Sequence, residues 1–428
     1  MNSMSSEIID FVKENDVKFI RLVFCDLFGR QKNIAIMANE LPRAFEMGIS
    51  FDASAVRGFL APGEATDLFL VPDSSTVAVL PWRPAHERVM RMFCTVHRPD
   101  GSVFENDTRG ILQKAVQQAA DMGCMCRVGA ECEFYLFRTG EDGVPTGEPF
   151  DHGGYADLFP LDRGENIRRG ICLALEEMGI YPESSHHEQG PGQNEVDFRF
   201  SDILTAADQI VTLHSVVKSI AGENGLFASF LPKPLEGEHG NSLYLHLSLL
   251  KGGKNIFETS APRHSEDAES FLQGILDHIA EITAFLNPLT NSYRRLGDGK
   301  TPHEVSWAHQ DRTRLVRIPA SAGEYQRMEL RSPDPACNPY LALALLLHAG
   351  LDGVNHHRKL SPQGQPGERI PDSLGAALRV AEQSEFVKRV LPSSVLKQYF
   401  SEKWKEEKAF RRSGSGFEFE KKEYFPYL

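Results

Sequence analysis

The sequence predicts an α+β protein: a small strand-rich N-terminal unit, followed by a larger unit in which an antiparallel sheet is flanked by helices. Two patterns carry this expectation. Short segments alternate apolar and polar residues, the two-residue period of a strand with one wet face. Beyond residue 104, longer segments repeat apolar positions every three or four residues, the period of a helix. With 428 residues the chain exceeds the usual size of one compact core, so two domains are expected.

In chain order, Lys18 to Phe24 reads as a strand, Asp26 to Gly29 as a turn, and Lys32 to Met37 as the returning strand of a hairpin. Arg98-Pro-Asp-Gly101 is a turn or linker. Thr108 then caps a helix that carries Ile111, Leu112, Ala115, Val116 and Ala119 on one side. The boundary therefore falls near 104, giving units 1–103 and 104–428. Helices follow over 163–178, 205–224 and 264–286, alternating with strands. Neither an internal repeat nor a low-complexity tract interrupts the pattern. The tail from Phe417 to Tyr427 mixes charge with aromatics and reads first as a solvated terminus, second as an element docked on a neighbouring molecule.

Hydrophobic residues make up 41% and charged residues 25%, which is ordinary for a globular chain with a sizeable core. A formal net charge of −13 disfavours nucleic acid and anionic lipid as partners, since both are polyanions. Seven scattered cysteines without CxxC spacing argue against a disulfide framework or structural zinc. The N-terminus lacks the basic and apolar blocks of a signal peptide, and the apolar run Leu341 to Leu347 is too short to span a bilayer. A reduced, cytoplasmic protein acting on small molecules is expected.

The chemistry lies in the alternating segments. In Arg127 to Phe137 the even positions are small or apolar, leaving Glu131 and Glu133 on the other face, roughly 7 Å apart along one strand. In Asn194 to Phe200, Glu195, Asp197 and Arg199 oppose Val196, Phe198 and Phe200. In Leu243 to Leu249, leucines oppose Tyr244, His246 and Ser248. In Arg327 to Arg331, Arg327, Glu329 and Arg331 oppose Met328 and Leu330. A sheet with one solvated face produces such alternation without any function. Carboxylates grouped on three strands, with Glu188 in the turn-rich stretch His186 to Gln193, are harder to explain that way. They repel one another unless cations sit between them, and hard divalent ions prefer such oxygen ligands. Arg295, Arg312, Arg317, Arg327 and Arg331 supply fork-shaped donors for phosphate or carboxylate. Together the two sets suit phosphoryl transfer.

These residues resemble the glutamine synthetase family over nearly the whole chain. The specific matches are Ala130-Glu-Cys-Glu-Phe134, His187-Glu-Gln-Gly-Pro-Gly-Gln-Asn-Glu195, Asn287-Pro-Leu-Thr-Asn-Ser-Tyr293 and the stretch Arg327 to Tyr340. The resemblance implies a β-grasp N-terminal domain and a larger catalytic domain with a curved antiparallel sheet. It implies one Mg²⁺ or Mn²⁺ site from Glu133, Glu188 and Glu195, and a second from Glu131 and Glu329. It implies ATP contacts from Glu183, Phe198, Phe200, His246 and Ser248, and phosphate contacts from Arg312, Arg317 and Arg327. The acid substrate would meet Glu133, Gly240, Arg295 and Arg331. Asp52 of a neighbouring subunit would bind and deprotonate the amine, with Arg312 and Glu329 completing the catalytic set. A homo-oligomer follows, usually a double-ring dodecamer with sites between adjacent subunits.

The chain departs from that pattern around the amine. Tyr244 stands where the family places a histidine ligand. The flap Gly297-Asp-Gly-Lys-Thr-Pro302 has Thr301 or Lys300 in place of a glutamate, with Asp298 and Glu304 as acids able to move in. His239-Gly-Asn-Ser-Leu243 differs from the usual glycine-rich loop, and Ala55 replaces a serine near Asp52. These changes predict a γ-glutamyl ligase for an organic amine. The alternatives are a true glutamine synthetase using ammonia, and a non-catalytic nucleotide-binding oligomer. The absence of tyrosine between Tyr340 and Tyr399 argues against control by a modified loop tyrosine.

Overall fold

The computed structural model describes residues 3–61, 63–259, 264–298, 301–414 and 416–428; Lys300 of the flap lies outside them. The first unit contains α1 (Ser3–Glu14), β1 (Val17–Cys25), β2 (Gln31–Met37), α2 (Leu41–Met47), β3 (Ile49–Asp52), β4 (Asp67–Pro72), β5 (Ala78–Val79) and β6 (Arg88–His97). Its sheet runs β2-β1-β6-β4-β3 with β5 on β6, and β1 and β6 pair in parallel. The sequence reading gave no helix here, yet α1 buries Val12 against this sheet.

The second unit runs α3 (Thr108–Asp121), β7 (Cys124–Thr139), β8 (Pro145–Pro149), α4 (Glu165–Glu177), β9 (Pro182–His187), β10 (Gln193–Asp202), α5 (Ile203–Glu223), β11 (Leu226–Ser229), β12 (Leu243–Lys251) and β13 (Lys254–Asn255). It continues with α6 (Glu266–Leu286), β14 (Trp307–His309), β15 (Val316–Ile318), β16 (Met328–Leu330), α7 (Pro339–Asn355), α8 (Leu374–Gln383), α9 (Glu385–Val390), α10 (Ser393–Arg412) and α11 (Phe417–Tyr424). The curved sheet runs β14-β15-β16-β12-β7-β10-β9, antiparallel except for β14 with β15. Helix α3 is capped by Asp107, whose side chain accepts from Arg109 N, so Thr108 is its first residue rather than its cap.

Helices cover one face of the large sheet. Val128, Ala130, Cys132, Phe134 and Leu136 of β7 enter that core, and the opposite parity leaves Glu131 and Glu133 on the other face. Helix α7 is buried along nearly its whole length against α6. There a Cβ on Gly353 would meet Ser270 O at 2.0 Å, and one on Gly274 would meet Ala349 O at 2.2 Å, so both positions require glycine.

Polar contacts tie the two units together. Arg109 bonds Asp208 of α5 through both carboxylate oxygens (3.0 and 2.9 Å) and Asp73 of the first unit (3.0 Å). Gly29, at φ +79°, lets the turn after β1 press against Asn338, which donates to Leu27 O and caps α7. The tail is neither solvated nor left for a neighbour. Tyr424 and Phe425 pack on Tyr135, Phe137 and Leu231 of the same chain, and Glu420 ion-pairs Arg294 at 2.5 Å. All seven cysteines are unpaired. Among the described residues no helix is long and apolar enough to cross a membrane.

Candidate active site

Strand register assembles the site. Glu133 lies opposite Glu195, and Glu131 opposite Asp197, across β7 and β10. On the other flank Tyr244 of β12 faces Glu131, and His246 faces Glu329 of β16. His186 and Ser184 of β9 face Glu195 and Asp197. Five neighbouring strands thus place acidic and basic groups on one face, around a cavity of about 490 Å³.

The carboxylates are crowded. Burial, then the charge of Glu188, pushes Glu133 up to about 8. Burial and Glu133 hold Glu195 well above the usual carboxylate range, and burial with Glu131 lifts Asp197 to about 6. Glu131 differs. Burial opposes its charge, but His246, Arg317 and Arg331 outweigh it and hold it at about 2. Such a cluster is stabilised by a cation, and carboxylate oxygens suit Mg²⁺ or Mn²⁺. Donor atoms of His186, Glu188 and Glu195 lie within 4.8 Å of one another, as do those of Glu131, His246 and Glu329. Glu133 stands beside the first group, its Oε2 accepting from Ser242 N (2.6 Å) and Gln193 Nε2 (3.2 Å).

The second group is tied up by protein cations. Arg317 bonds Glu329 Oε2 (2.9 and 2.6 Å), and Arg331 bonds the other oxygen. Arg327 Nε donates to His246 Nδ1 at 2.9 Å, so the ring proton sits on Nε2, which donates to Glu131 at 2.7 Å. Tyr244 points its ring under Arg331, 4.1 Å from the guanidinium, and burial with Glu133's charge pushes its phenol above the usual value. It is a neutral group at this position.

Arg295 is 1% exposed and donates to the carbonyls of Ser332 and Pro333 (2.9 Å for the latter) and to Ser242 Oγ (3.0 Å). The buried Nε atoms of Arg295 and Arg331 have no partner among the described residues. Gly240 lies against Arg295, where a Cβ would come within 2.6 Å of its Cγ. The 239–242 loop is held by Tyr135, whose hydroxyl donates to His239 O at 2.5 Å, and by Asn241. Behind it, His187 donates to Asp151 (2.8 Å) and to the Glu188 carbonyl (2.7 Å), fixing the Glu188 backbone. Arg168 and His187 balance the buried acids Asp151 and Asp162 there.

Other expected residues fall elsewhere. Phe198 buries its side chain in the core at 5% exposure, so only its main chain can reach a ligand. A register shift after Phe198 reverses the strand's facing, bringing Phe200 to the wet side beside Gly129 and His246 instead of the apolar side. Phe200 meets Tyr325 edge-on (5.8 Å) and lies under Arg127 (5.1 Å), while Arg127 pairs with Ser248 across the strands. Glu183 is exposed on the outer strand β9 and is not part of the cavity wall. Arg312 lines the cavity from an exposed loop. Asp52 is exposed at the end of β3, bonded to Ser54, outside this chain's own cavity, and Ala55 is exposed beside it.

In the flap, Thr301 is turned inward, 7% exposed, with its hydroxyl 3.5 Å from Arg295. Asp298 lines the cavity and ion-pairs with Lys233, whereas Glu304 pairs with Arg369 outside it. The sequence reading left His186, Gln193 and Ser242 unassigned. His186 alternates with Glu188, a signal that pointed to the same face.

Carboxylates able to hold cations and guanidinium groups able to meet phosphate or carboxylate thus share one cavity. Residues 16–99 match the family described as glutamine synthetase, beta-Grasp domain, and residues 105–422 match glutamine synthetase, catalytic domain. A glutamine synthetase from Methanosarcina mazei is 45% identical over 426 residues, 94% of each chain, and one from Clostridium saccharobutylicum is 42% identical over 97% of each. A solved GmaS/ADP complex superposes with a TM-score of 0.87 at 29% identity, covering 99% of both chains. The Plasmodium falciparum glutamine synthetase shares the fold, with a TM-score of 0.85 at 23% identity over 95% of this chain and 96% of that one. The chain belongs to the glutamine synthetase family. It is an ATP-dependent ligase of that family.

Proposed function

We propose that this ligase joins glutamate to an organic amine, forming a γ-glutamyl amide through an acyl phosphate. The carrying observation is the cavity wall. Glu131, Glu133, Glu188 and Glu195 line it with Arg295, Arg312, Arg317 and Arg331, while Tyr244 and either the inward-turned Thr301 or Lys300 stand where the family places a histidine and a glutamate. A threonine cannot take a proton from ammonium, and a pocket without that glutamate is less anionic.

In this reading Glu133, Glu188 and Glu195, with His186, hold one Mg²⁺ or Mn²⁺, and Glu131 with Glu329 serve a second. Bound cations would neutralise phosphate charge and relieve the repulsion among these acids. Arg312, Arg317 and Arg327 meet the phosphates. His246, Ser248, Phe200, the Phe198 main chain and Glu183 are assigned to the nucleotide. Gly240, Arg295 and Arg331, which line the cavity, orient the acid. The acid's γ-carboxylate oxygen attacks the γ-phosphorus and ADP leaves. The amine nitrogen then displaces phosphate from the acyl carbon and loses its proton, with Asp52 of a neighbouring subunit as the acceptor. Asp52's exposure away from its own cavity supports a homo-oligomer, for which a double-ring dodecamer is our assignment. We also place the domain boundary at 103/104, in the segment between β6 and α3, and the protein in the cytoplasm.

A second reading, glutamine synthetase proper, is favoured by relatives of that name at 45% and 42% identity. Phosphate release from Mg-ATP with glutamate separates them, using ammonium against alkyl, aryl, hydroxy and polyamines with products identified by mass. Turnover with an organic amine and little with ammonium supports the proposal. Ammonium as the best substrate restores the second reading. ATP binding without turnover on any amine refutes both and leaves either another acid substrate or a non-catalytic nucleotide-binding oligomer.

A further inference from the structure

A second cavity, of about 360 Å³, opens where the turn after β1 meets α5, and it shares no lining residue with the active site. We propose that it binds a small oxyanion, a phosphate or a short carboxylate, between Arg30, Lys32 and Lys218.

Three cations converge on this cavity, and none of them ion-pairs with a carboxylate among the described residues. Arg30 lies over the Tyr427 ring, 3.4 Å from its centroid, which leaves its N–H edge for a ligand. Lys218 donates to the Tyr427 carbonyl at 2.7 Å. Asp26 acts on Arg30 and Lys32 at longer range, but its Oδ1 accepts from the backbone N–H groups of Phe28 and Arg30. In the adjoining hollow Glu406 is engaged by Lys403 at 3.0 Å. Burial and the nearby charge of Arg30 push Lys218 down to about 8.

A neutral ring completes this wall. His214 also lines the cavity, its ring stacked on Phe230 at 3.9 Å. Burial holds this imidazole neutral, so it adds no like charge to the cations around it. Cations held together without an ion-pair partner cost stability, and one bound oxyanion would pair with all three. The volume suits phosphate or a dicarboxylate. The same wall contains Cys337, on the segment that leads from β16 into α7, so an occupant would touch the chain that carries Glu329 and Arg331.

The test titrates inorganic phosphate and, separately, succinate into the full-length protein by isothermal calorimetry, comparing the parent with Lys218→Met and Arg30→Gln. The two probes distinguish phosphate from carboxylate ligands. Each variant is expected to weaken binding of the preferred probe about ten-fold or more, with ATP binding unchanged. A second readout needs no variant: the same probe should slow acetylation of Lys218 by acetic anhydride, with Lys254 as the unprotected reference. Equal binding by the parent and both variants would assign the anion to the active-site arginines and overturn the proposal. So would an absence of binding by both probes, or acetylation of Lys218 that neither probe slows.

Discussion

Glu133→Gln should change stability with a sign that depends on metal. Glu133 is 5% exposed, and burial with Glu188 raises it from 4.5 to about 8. Between these values the folded chain keeps a proton that the unfolded chain has released, so stability falls as pH rises through the window and levels off above about 8. At about 1.36 kcal/mol per decade the ceiling is about 5 kcal/mol, and water penetration should leave about 2–3 kcal/mol. Glutamine removes this penalty while its oxygen still accepts from Ser242 N and Gln193. In chelator the variant should therefore match the parent at pH 5 and melt about 2–3 °C higher at pH 8, given about 1 °C per kcal/mol for a chain of this length. In saturating Mg²⁺ the order should reverse, because the parent alone offers the full carboxylate set. Thermal melts at pH 5, 6.5 and 8, with chelator and with Mg²⁺, provide the assay. A lower melting point for the variant in both media at pH 8 would refute the repulsion argument.

Arg109→Met should cost about 3–5 kcal/mol in urea unfolding, because it strands buried Asp208 and leaves Asp73 unpaired. Tyr135→Phe removes the donor to His239 O and should cost about 1–3 kcal/mol, raising KM for the acid substrate while leaving KM for ATP unchanged. Thr301→Glu should shift the amine panel toward ammonium by about ten-fold, a fraction of what a well-placed general base supplies. An unchanged ratio of ammonium to methylamine turnover would remove the flap from the specificity argument.

Much of the site was legible because strand parity is a rigid rule: once β7 buries Ala130 and Cys132, Glu131 and Glu133 have only one face to occupy. Where parity breaks, the reading broke with it. The register shift after Phe198 sent Phe200 to the wet face, and no residue type in that segment announces a bulge. Helix α1 sets Ile8, Ile9, Phe11 and Val12 at helical spacing against the small sheet, a pattern that the strand-rich reading of this unit passed over. Asp107 and Thr108 are both competent caps, and the choice is set by Asp107 Oδ2 accepting from Val96 N as well. The tail's docking depends on Phe137 and Leu231, far away in sequence. His186 alternates with Glu188 in the sequence, but its place opposite Glu195 follows only from the pairing of β9 with β10.

The glycine contact between α6 and α7 bears on how the chain is made. Helix α7 is almost entirely apolar and cannot remain in water, yet its seat on Gly274 is synthesised first and must wait for it. Until Gly353 arrives, the apolar side of α6 is bare as the nascent chain leaves the ribosome. The chain is then open to chaperone capture and aggregation, and a bulky residue at either glycine would prolong that exposure even if the finished protein could accommodate it.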